Sequence, residues 1–495
     1  MSTVGISRTD PSYRGLAIPW GPGKPYPELA SLLPAQAGPP NHVYAAVRAS
    51  LRALGLDAGR FGTPDWNPLG DLVRRGGRIV VKPNFIRHWN PMPGGTVESV
   101  ITHGSVLRAV LDYAWLAAGP EGSVEVAEAP QHDCDFGEIR RLTGVDAIAR
   151  LYEEALGVEL AVIDLRREAV TYRDAVIVER QALPGDPRGY RLVDLGPHSS
   201  FHGSGLDPRR FRGADYDSRP TTEHHQGGKH EYLLSETVLS ADLVVNLPKL
   251  KTHKKTGVTL ALKNFVGING DKNLLPHHSA GPPSAGGDEF PSGSWLDSAR
   301  GRAVEIGRRL LRRGMGTGLI RAARRVENAT RGEAFIRSGN WHGNQTTWRM
   351  CLDLNRVVYY SDAAGEHWDA PEPVRRVLTL IDGIVAGEGE GPLAPTDRPL
   401  GAILAATDPL ALDLACVRLM GFDEQRIPKL CAALAATAFR LGRVRRPEDV
   451  HLVEADADGT TREIGLEALA PETSFAAHPG WKGHLEARPS KAGAA

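Results

Sequence analysis

The chain has 495 residues, 41% of them hydrophobic, which is ample for a large core and allows two or three domains without requiring them. Lysine plus arginine and aspartate plus glutamate both number 59, so no global field draws the protein onto nucleic acid or an anionic membrane, and charge-driven binding must be local. Cys134, Cys351, Cys416 and Cys431 lie far apart without a C-x-x-C pairing. That argues against a disulfide framework, an iron–sulfur cluster or a zinc knuckle, and fits a reducing cytoplasm. No stretch approaches the ~20 apolar residues of a membrane span, and Met1 to Pro19 has neither a basic start nor an apolar core, so export and membrane insertion are not expected.

The first segment, residues 1–75, is punctuated by prolines and reads as an extended wrap interrupted by one helix. In that helix Val43, Val47, Leu51 and Leu54 recur at helical spacing before Gly55. Arg78 to Lys82 reads as a strand, Ser105 to Ala118 as a helix stopped by Gly119, and Ser123 to Glu128 as a second strand, a unit that builds parallel sheets. Further continuous apolar runs, Leu160 to Leu165, Asp242 to Leu247, Val377 to Ile381, Ala402 to Ala406 and His451 to Glu454, suit strands covered on both faces. Asp408 to Met420 predicts a helix closed by Gly421. Gly185 to Gly228 reads as a loop over a site, and about 280–335 as an insertion with a Gly/Pro/Ser loop and an Arg-rich stretch. The expected fold class is α/β: a mostly parallel sheet flanked by helices in Rossmann-like layers, over 76–465, with loop and helical insertions and a C-terminal tail at 466–495.

In open parallel sheets ligands bind beyond the carboxyl ends of the strands. Five predicted strands end in chemically active residues: Lys82-Pro-Asn84, Glu128 through His132-Asp133, Asn246-Leu-Pro-Lys249, Asp382-Gly383 and Thr407-Asp408-Pro409. The densest run follows the third, with Lys249, Lys251, His253, Lys254, Lys255 and Lys263 packed between Pro248 and Asn264. Cations this close repel unless an anion joins them, so one reading is a carboxylate or phosphate pocket with His253 or a lysine available for proton transfer. The other is a solvated basic loop.

The Gly-rich run Asp382 to Pro392 carries Glu388 and Glu390, which would oppose a bare phosphate; it suggests a metal-bridged ligand, a clamp on basic groups, or a surface turn. No phosphate-binding loop of the G-x-x-x-x-G-K type occurs, and Gly314-x-Gly316-x-Gly318 does not follow a strand, so no nucleotide fingerprint is present. The histidines show no H-E-x-x-H spacing, and a metal site would need residues gathered by folding; pairs such as His277-His278 more often cap loops or lie exposed. In Gly339 to Arg349, Trp341 and Asn344 could stack on and fix a sugar or ring, or Trp341 could pack beneath a capped helix terminus. The Arg-rich stretch 298–326 could touch an anionic membrane surface, but lacks aromatic anchors and is broken by glycines.

Lys82-Pro-Asn84, Asn246-Leu-Pro-Lys-Leu-Lys-Thr-His253, Gly257 through Asn264 with Gly267, Trp341-His-Gly-Asn344, Asp382-Gly383, Glu390-Gly-Pro392 and Asp408-Pro409 with Asp413 together resemble the bacterial and archaeal family called domain of unknown function 362. The resemblance spans about Arg78 to Gly421 and implies no general activity. Some members carry a ferredoxin-like cysteine cluster, which this chain lacks. The layout of Lys and His at strand ends is also similar, as an analogy, to the nickel-pincer lactate racemase type of site.

These readings converge on an enzyme acting on a small anionic metabolite, phosphorylated or carboxylated. Its chemistry would be metal-assisted group transfer or hydrolysis, or proton abstraction. His253 and Lys251 are the catalytic candidates; Lys82, Asn84, Lys249, Lys263, Asn264, Trp341, His342 and Asn344 are the ligand-binding candidates; Asp382 and Glu390 could hold a divalent metal. The alternative is a non-catalytic binder of an anionic ligand or a polysaccharide precursor. No nucleic-acid partner and no iron–sulfur cluster are expected.

Overall fold

Strands Arg78–Pro83 and Leu243–Leu247 are built of β-branched and leucine residues whose alternation explains why whole runs are apolar. Val80 and Val244 join the core on one face of the sheet, while Ile79, Val81, Leu243 and Val245 join the core on the other. A computed structural model describes residues 1–33, 39–173, 176–215, 217–291, 338–366 and 370–487, with positions 306, 307 and 310 besides.

Among the described residues the central sheet has eleven strands. Across it run Thr461–Ile464, Val450–Ala455, Ser2–Arg8, Ala394–Ala406, Arg376–Glu390, Leu243–Leu247, Arg78–Pro83, Ser123–Glu128 and Ala161–Asp164. From Arg376–Glu390 to Ala161–Asp164 every neighbour is parallel. Arg376–Glu390 and Ala394–Ala406 form a long antiparallel hairpin, and the carboxyl half of the first extends past the sheet to receive Lys249–His253, which in turn pairs with Gly257–Val258. Helices His42–Leu54 and Gly104–Ala118 cover one face; Thr347–Tyr360, Pro409–Leu419 and Pro428–Ala435 cover the other. The expected α/β architecture with a mostly parallel sheet is therefore present.

Both ends of the chain depart from expectation. The Pro-rich first segment opens with a sheet strand, Ser2–Arg8, lying parallel to Val450–Ala455 and antiparallel to Ala394–Ala406. Only Val4 and Ile6 signalled it, a period-two pair too short to stand out. Between them Gly5 lets the helix His42–Leu54 sit directly on the strand, since a Cβ there would meet the Ser50 carbonyl oxygen at 2.3 Å. The C-terminal segment is not a tail as far as residue 487: Phe475, Trp481 and Leu485 are buried in the core. The polar stretch 185–228 contains the strand Tyr190–Asp194, paired with Glu231–Ser235. Of the Arg-rich stretch 298–326, all but positions 306, 307 and 310 lies outside the described residues.

Candidate functional site

The basic run is buried, which removes the reading of a solvated loop. After Pro248 the chain resumes as the strand Lys249–His253 beside Arg376–Glu390, with Lys249 opposite Asp382 and, after a register shift, Lys251 opposite Gly387. Strand alternation turns Leu250 into the core and sends Lys249 and Lys251 the other way. Gly387 is required here, because a Cβ would crowd the Lys251 Cβ at 3.0 Å and Pro395 at 2.8 Å.

The two lysines have different surroundings. Lys249 Nζ meets Asp382 Oδ2 at 3.0 Å and donates to the Tyr13 hydroxyl at 2.9 Å, while that hydroxyl donates to Asp382 Oδ1 at 2.5 Å. Tyr13 stacks on His103 with ring centroids 3.8 Å apart. Lys251 Nζ instead donates to neutral oxygens, Asn84 Oδ1 at 2.8 Å and the Val100 carbonyl. Burial, then the neighbouring Lys249 and Lys263, push the Lys251 amine well below its ordinary value, against the weaker opposing pull of Glu128, which makes no ion pair with it.

Asn84 begins a chain of amides. Its Nδ2 donates to Asn264 Oδ1 at 3.0 Å, and Asn264 Nδ2 donates to Asn246 Oδ1 at 2.7 Å. Asn264 and Lys263 are delivered by the short helix Leu260–Asn264, which starts from Leu260 in the left-handed region at φ 62°. Asp413 holds that start: its Oδ1 accepts from Ala261 N at 2.7 Å, and Lys429, 3.7 Å from the Asp413 carboxylate, donates to the Val258 carbonyl at 3.0 Å and to that of Thr259. Lys82 reaches the same centre, where Nζ pairs with Glu128 Oε2 at 2.6 Å and donates to the Pro83 carbonyl at 2.8 Å. Gly267 leaves room for this pair; a Cβ would stand 1.8 Å from Glu128 Oε1 and 2.6 Å from Lys82 Nζ.

His253 sits at the end of the basic strand. Its Nδ1 accepts from the backbone N–H of Lys255 at 3.0 Å and of Thr256 at 3.2 Å, which assigns the neutral tautomer with the proton on Nε2. Nε2 has no protein partner among the described residues. Burial, followed by Lys263, Lys254, Lys429 and Lys255, holds this imidazole well below 6.5. Lys255 and Lys272 are both pushed down to about 7, chiefly by burial. His277 belongs to the same surroundings: burial and then Lys255, Lys263 and Lys272 lower it to about 3, and its Nδ1 donates to the Leu275 carbonyl at 2.8 Å.

Folding thus gathers Lys82, Asn84, Lys251, His253, Lys263 and Asn264, with Lys249 beside them in its own ion pair. It does not gather Trp341, His342 and Asn344 as a sugar or ring platform. Trp341 Nε1 donates to the Asp288 carbonyl at 2.8 Å beneath the helix Thr347–Tyr360, and Asn344 Oδ1 caps that helix, accepting from Thr346 N at 3.0 Å and Thr347 N at 2.8 Å. His342 stacks on His484 at 4.2 Å between ring centroids. Asp382 and Glu390 do not form one metal site, which corrects that expectation. They are eight positions apart on one extended strand, about 26 Å at the usual rise, and Asp382 is committed to Lys249, Tyr13 and the His103 N–H. Among the described residues no group of three or more His, Cys, Asp or Glu side chains could hold a metal ion. Sequence reasoning missed Lys272, Lys429 and Tyr13, since each lies outside the basic run in an unremarkable local context.

The class is therefore an α/β protein with a buried, lysine-lined centre beyond its parallel strands. The model of the family described as domain of unknown function (DUF362) matches residues 158–418, more than half of the chain, and the chain belongs to that family. The match holds Asn246 to Asn264, Lys272, Asp382 and Asp413; Lys82, Asn84 and Glu128 lie ahead of it. A thylakoid-associated protein of Synechocystis is 23% identical over 223 residues, 45% of this chain and 44% of that one, so the chain spans less than half the length of this curated relative. Two solved structures are similar at TM-score 0.31 over 74% of this chain. One is the lactate racemase apoprotein of Thermoanaerobacterium thermosaccharolyticum, 12% identical with 54% of its chain covered. The other is a Thermotoga maritima protein, 10% identical with 57% covered. Among the described residues no helix is long and apolar enough to cross a membrane.

Proposed function

We propose that this protein is an enzyme acting on a small anionic metabolite, with Lys251 and Lys263 holding the anion and His253 passing a proton. One observation carries the reading: Lys251 is fully buried yet its amine faces only neutral oxygens, beside a histidine whose Nε2 is left without a protein partner. An incoming anion would supply the missing counter-charge, and ligand charge rather than a protein carboxylate would set the protonation of the centre. Asn84 and Asn264 fix the position of Lys251 and offer amide groups to the rest of the ligand. With Asp382 committed to Lys249, proton abstraction beside a carboxylate, or transfer at phosphate assisted by lysines, is favoured over chemistry at a metal held by Asp382 and Glu390. Cytoplasmic residence and the lack of a nucleic-acid partner belong to the same proposal, supported by the balanced charge and the free cysteines.

The test is incubation with pools of phosphorylated and carboxylated metabolites, followed by mass spectrometry of the products and thermal melts. Turnover lost in His253→Ala, with the ligand-induced melting shift retained, supports the enzyme. A ligand that shifts the melt with no turnover in any pool makes the protein a non-catalytic binder. A shift undiminished in Lys263→Met removes the anion reading itself.

A further inference from the structure

The centre holds seven inward lysines, Lys82, Lys249, Lys251, Lys255, Lys263, Lys272 and Lys429. Three have a carboxylate at ion-pair distance: Lys82 with Glu128, Lys249 with Asp382, and Lys429 with Asp413. The other four, Lys251, Lys255, Lys263 and Lys272, have none among the described residues. Their donors go to neutral oxygens: Lys251 to Asn84 and Val100, Lys255 to the Ser338 carbonyl, and Lys272 to the Ala129 carbonyl at 2.7 Å. Lys263 makes no hydrogen bond through Nζ among the described residues, and it is the neighbour shared by Lys251, Lys255 and Lys272.

We propose that this centre is built for a ligand with two or more negative charges on one group, a phosphate monoester or a diphosphate rather than a monocarboxylate, and that the protein takes up protons as the ligand binds. The inference rests on the anion-binding reading above and names its substrate class. A single carboxylate facing these four amines, three buried and that of Lys263 partly so, neutralises one of them and leaves the rest repelling each other or deprotonated. A phosphoryl group brings about 1.5 to 2 charges near neutral pH, with oxygens pointing in several directions to meet several amines.

The proton uptake follows from the same surroundings. Lys255 faces Lys254 and Lys263 against Asp288 and Glu289; Lys272 faces Lys82, Arg166 and Lys263 against Glu128. Burial outweighs those carboxylates, so at neutral pH the ligand-free protein holds part of this group as free amines. A multiply charged ligand favours the ammonium forms, and each amine that charges draws a proton from solution.

The experiment is isothermal titration of the full chain at neutral pH with phosphate, pyrophosphate and acetate, in two buffers of different ionisation enthalpy. The expected result is binding of phosphate or pyrophosphate at least about tenfold tighter than acetate, with heats that differ between buffers in the sense of proton uptake. Lys272→Met should lose part of that uptake. Acetate binding as tightly as phosphate, or phosphate heats independent of buffer, overturns the inference. Should Lys272→Met fail to fold, the wild-type comparison of the three anions decides alone. Lys263→Met separates the two levels: acetate binding that it abolishes, without any preference for phosphate, leaves the anion site standing and removes this proposal. No binding of any of the three anions to the wild type removes both.

Discussion

Asn84 presents its amide oxygen to Lys251 Nζ at 2.8 Å, a neutral acceptor where a carboxylate of nearly the same shape would have closed an ion pair. Asn84→Asp supplies that carboxylate. It should raise the Lys251 pKa, because an opposite charge in contact favours the ammonium form. Phosphate affinity should fall by at least about tenfold, since the ligand would compete with an internal anion. Titration calorimetry on the two proteins checks this, and unchanged affinity would remove Lys251 from the binding centre.

The Lys82–Glu128 pair is buried on both sides, so breaking one half leaves an unpaired charge. Glu128→Gln should cost about 3–5 kcal/mol. Lys82→Met combined with Glu128→Gln should recover a substantial part of that loss. Chemical denaturation of the single and double variants measures the coupling; additive losses would show that the pair acts as two independent contacts.

Gly267→Ala tests the same pair by space rather than charge. The added methyl would stand 1.8 Å from Glu128 Oε1, and the expected loss is about 1–3 kcal/mol. Gly59→Ala, where nothing lies within 4 Å of the new Cβ, is the matched control and should change little. Equal denaturation midpoints for the two variants would contradict the crowding.

Asp413 has a carboxyl raised from 3.8 to about 6, first by burial, against the opposing pull of Lys429. Between those values the folded chain binds more protons than the unfolded chain, so this group makes the unfolding free energy fall as pH rises from about 4 to 6. Asp413→Asn should remove that contribution, so stability curves of wild type and variant measured against pH should diverge across the window. Parallel curves would show that Asp413 is already ionised throughout.

Trp481 packs its ring against Gly257 and donates from Nε1 to the Lys254 carbonyl at 2.9 Å, tying the C-terminal segment to the basic hairpin. Trp481→Ala should cost about 3–5 kcal/mol. Hydrogen exchange at Lys254 to Gly257 should accelerate; unchanged protection there would mean that the hairpin holds itself.

The sequence by itself determined the elements with strong periodic or punctuating signals. The helix His42–Leu54 follows from four apolar residues at helical spacing and Gly55, and the strands Arg78–Pro83, Ser123–Glu128 and Leu243–Leu247 follow from apolar runs that only a doubly covered sheet can bury. Lys82, Asn84, Lys251, His253, Lys263 and Asn264 were legible as well, because strand ends and a crowded basic run concentrate unusual residues in short stretches. The strand Ser2–Arg8 was not, since its partners are residues 394–406 and 450–455 and its own apolar content is slight.

Only the tertiary structure decided which lysines are paired. Charge compensation is a property of space: Lys249 is matched by Asp382 and Tyr13, 133 positions on and 236 positions back along the chain, while Lys251, two positions from Lys249, meets only amide and carbonyl oxygens. Burial decided the rest: of the two readings open to the run, an anion pocket and a solvated basic loop, it removed the second and left Lys251 with an amine held well below its ordinary value. It also placed Asp382 beside a lysine and about 26 Å along the strand from Glu390. No local pattern records such distances, because they depend on which strand lies next to which and how far the hairpin runs past the sheet.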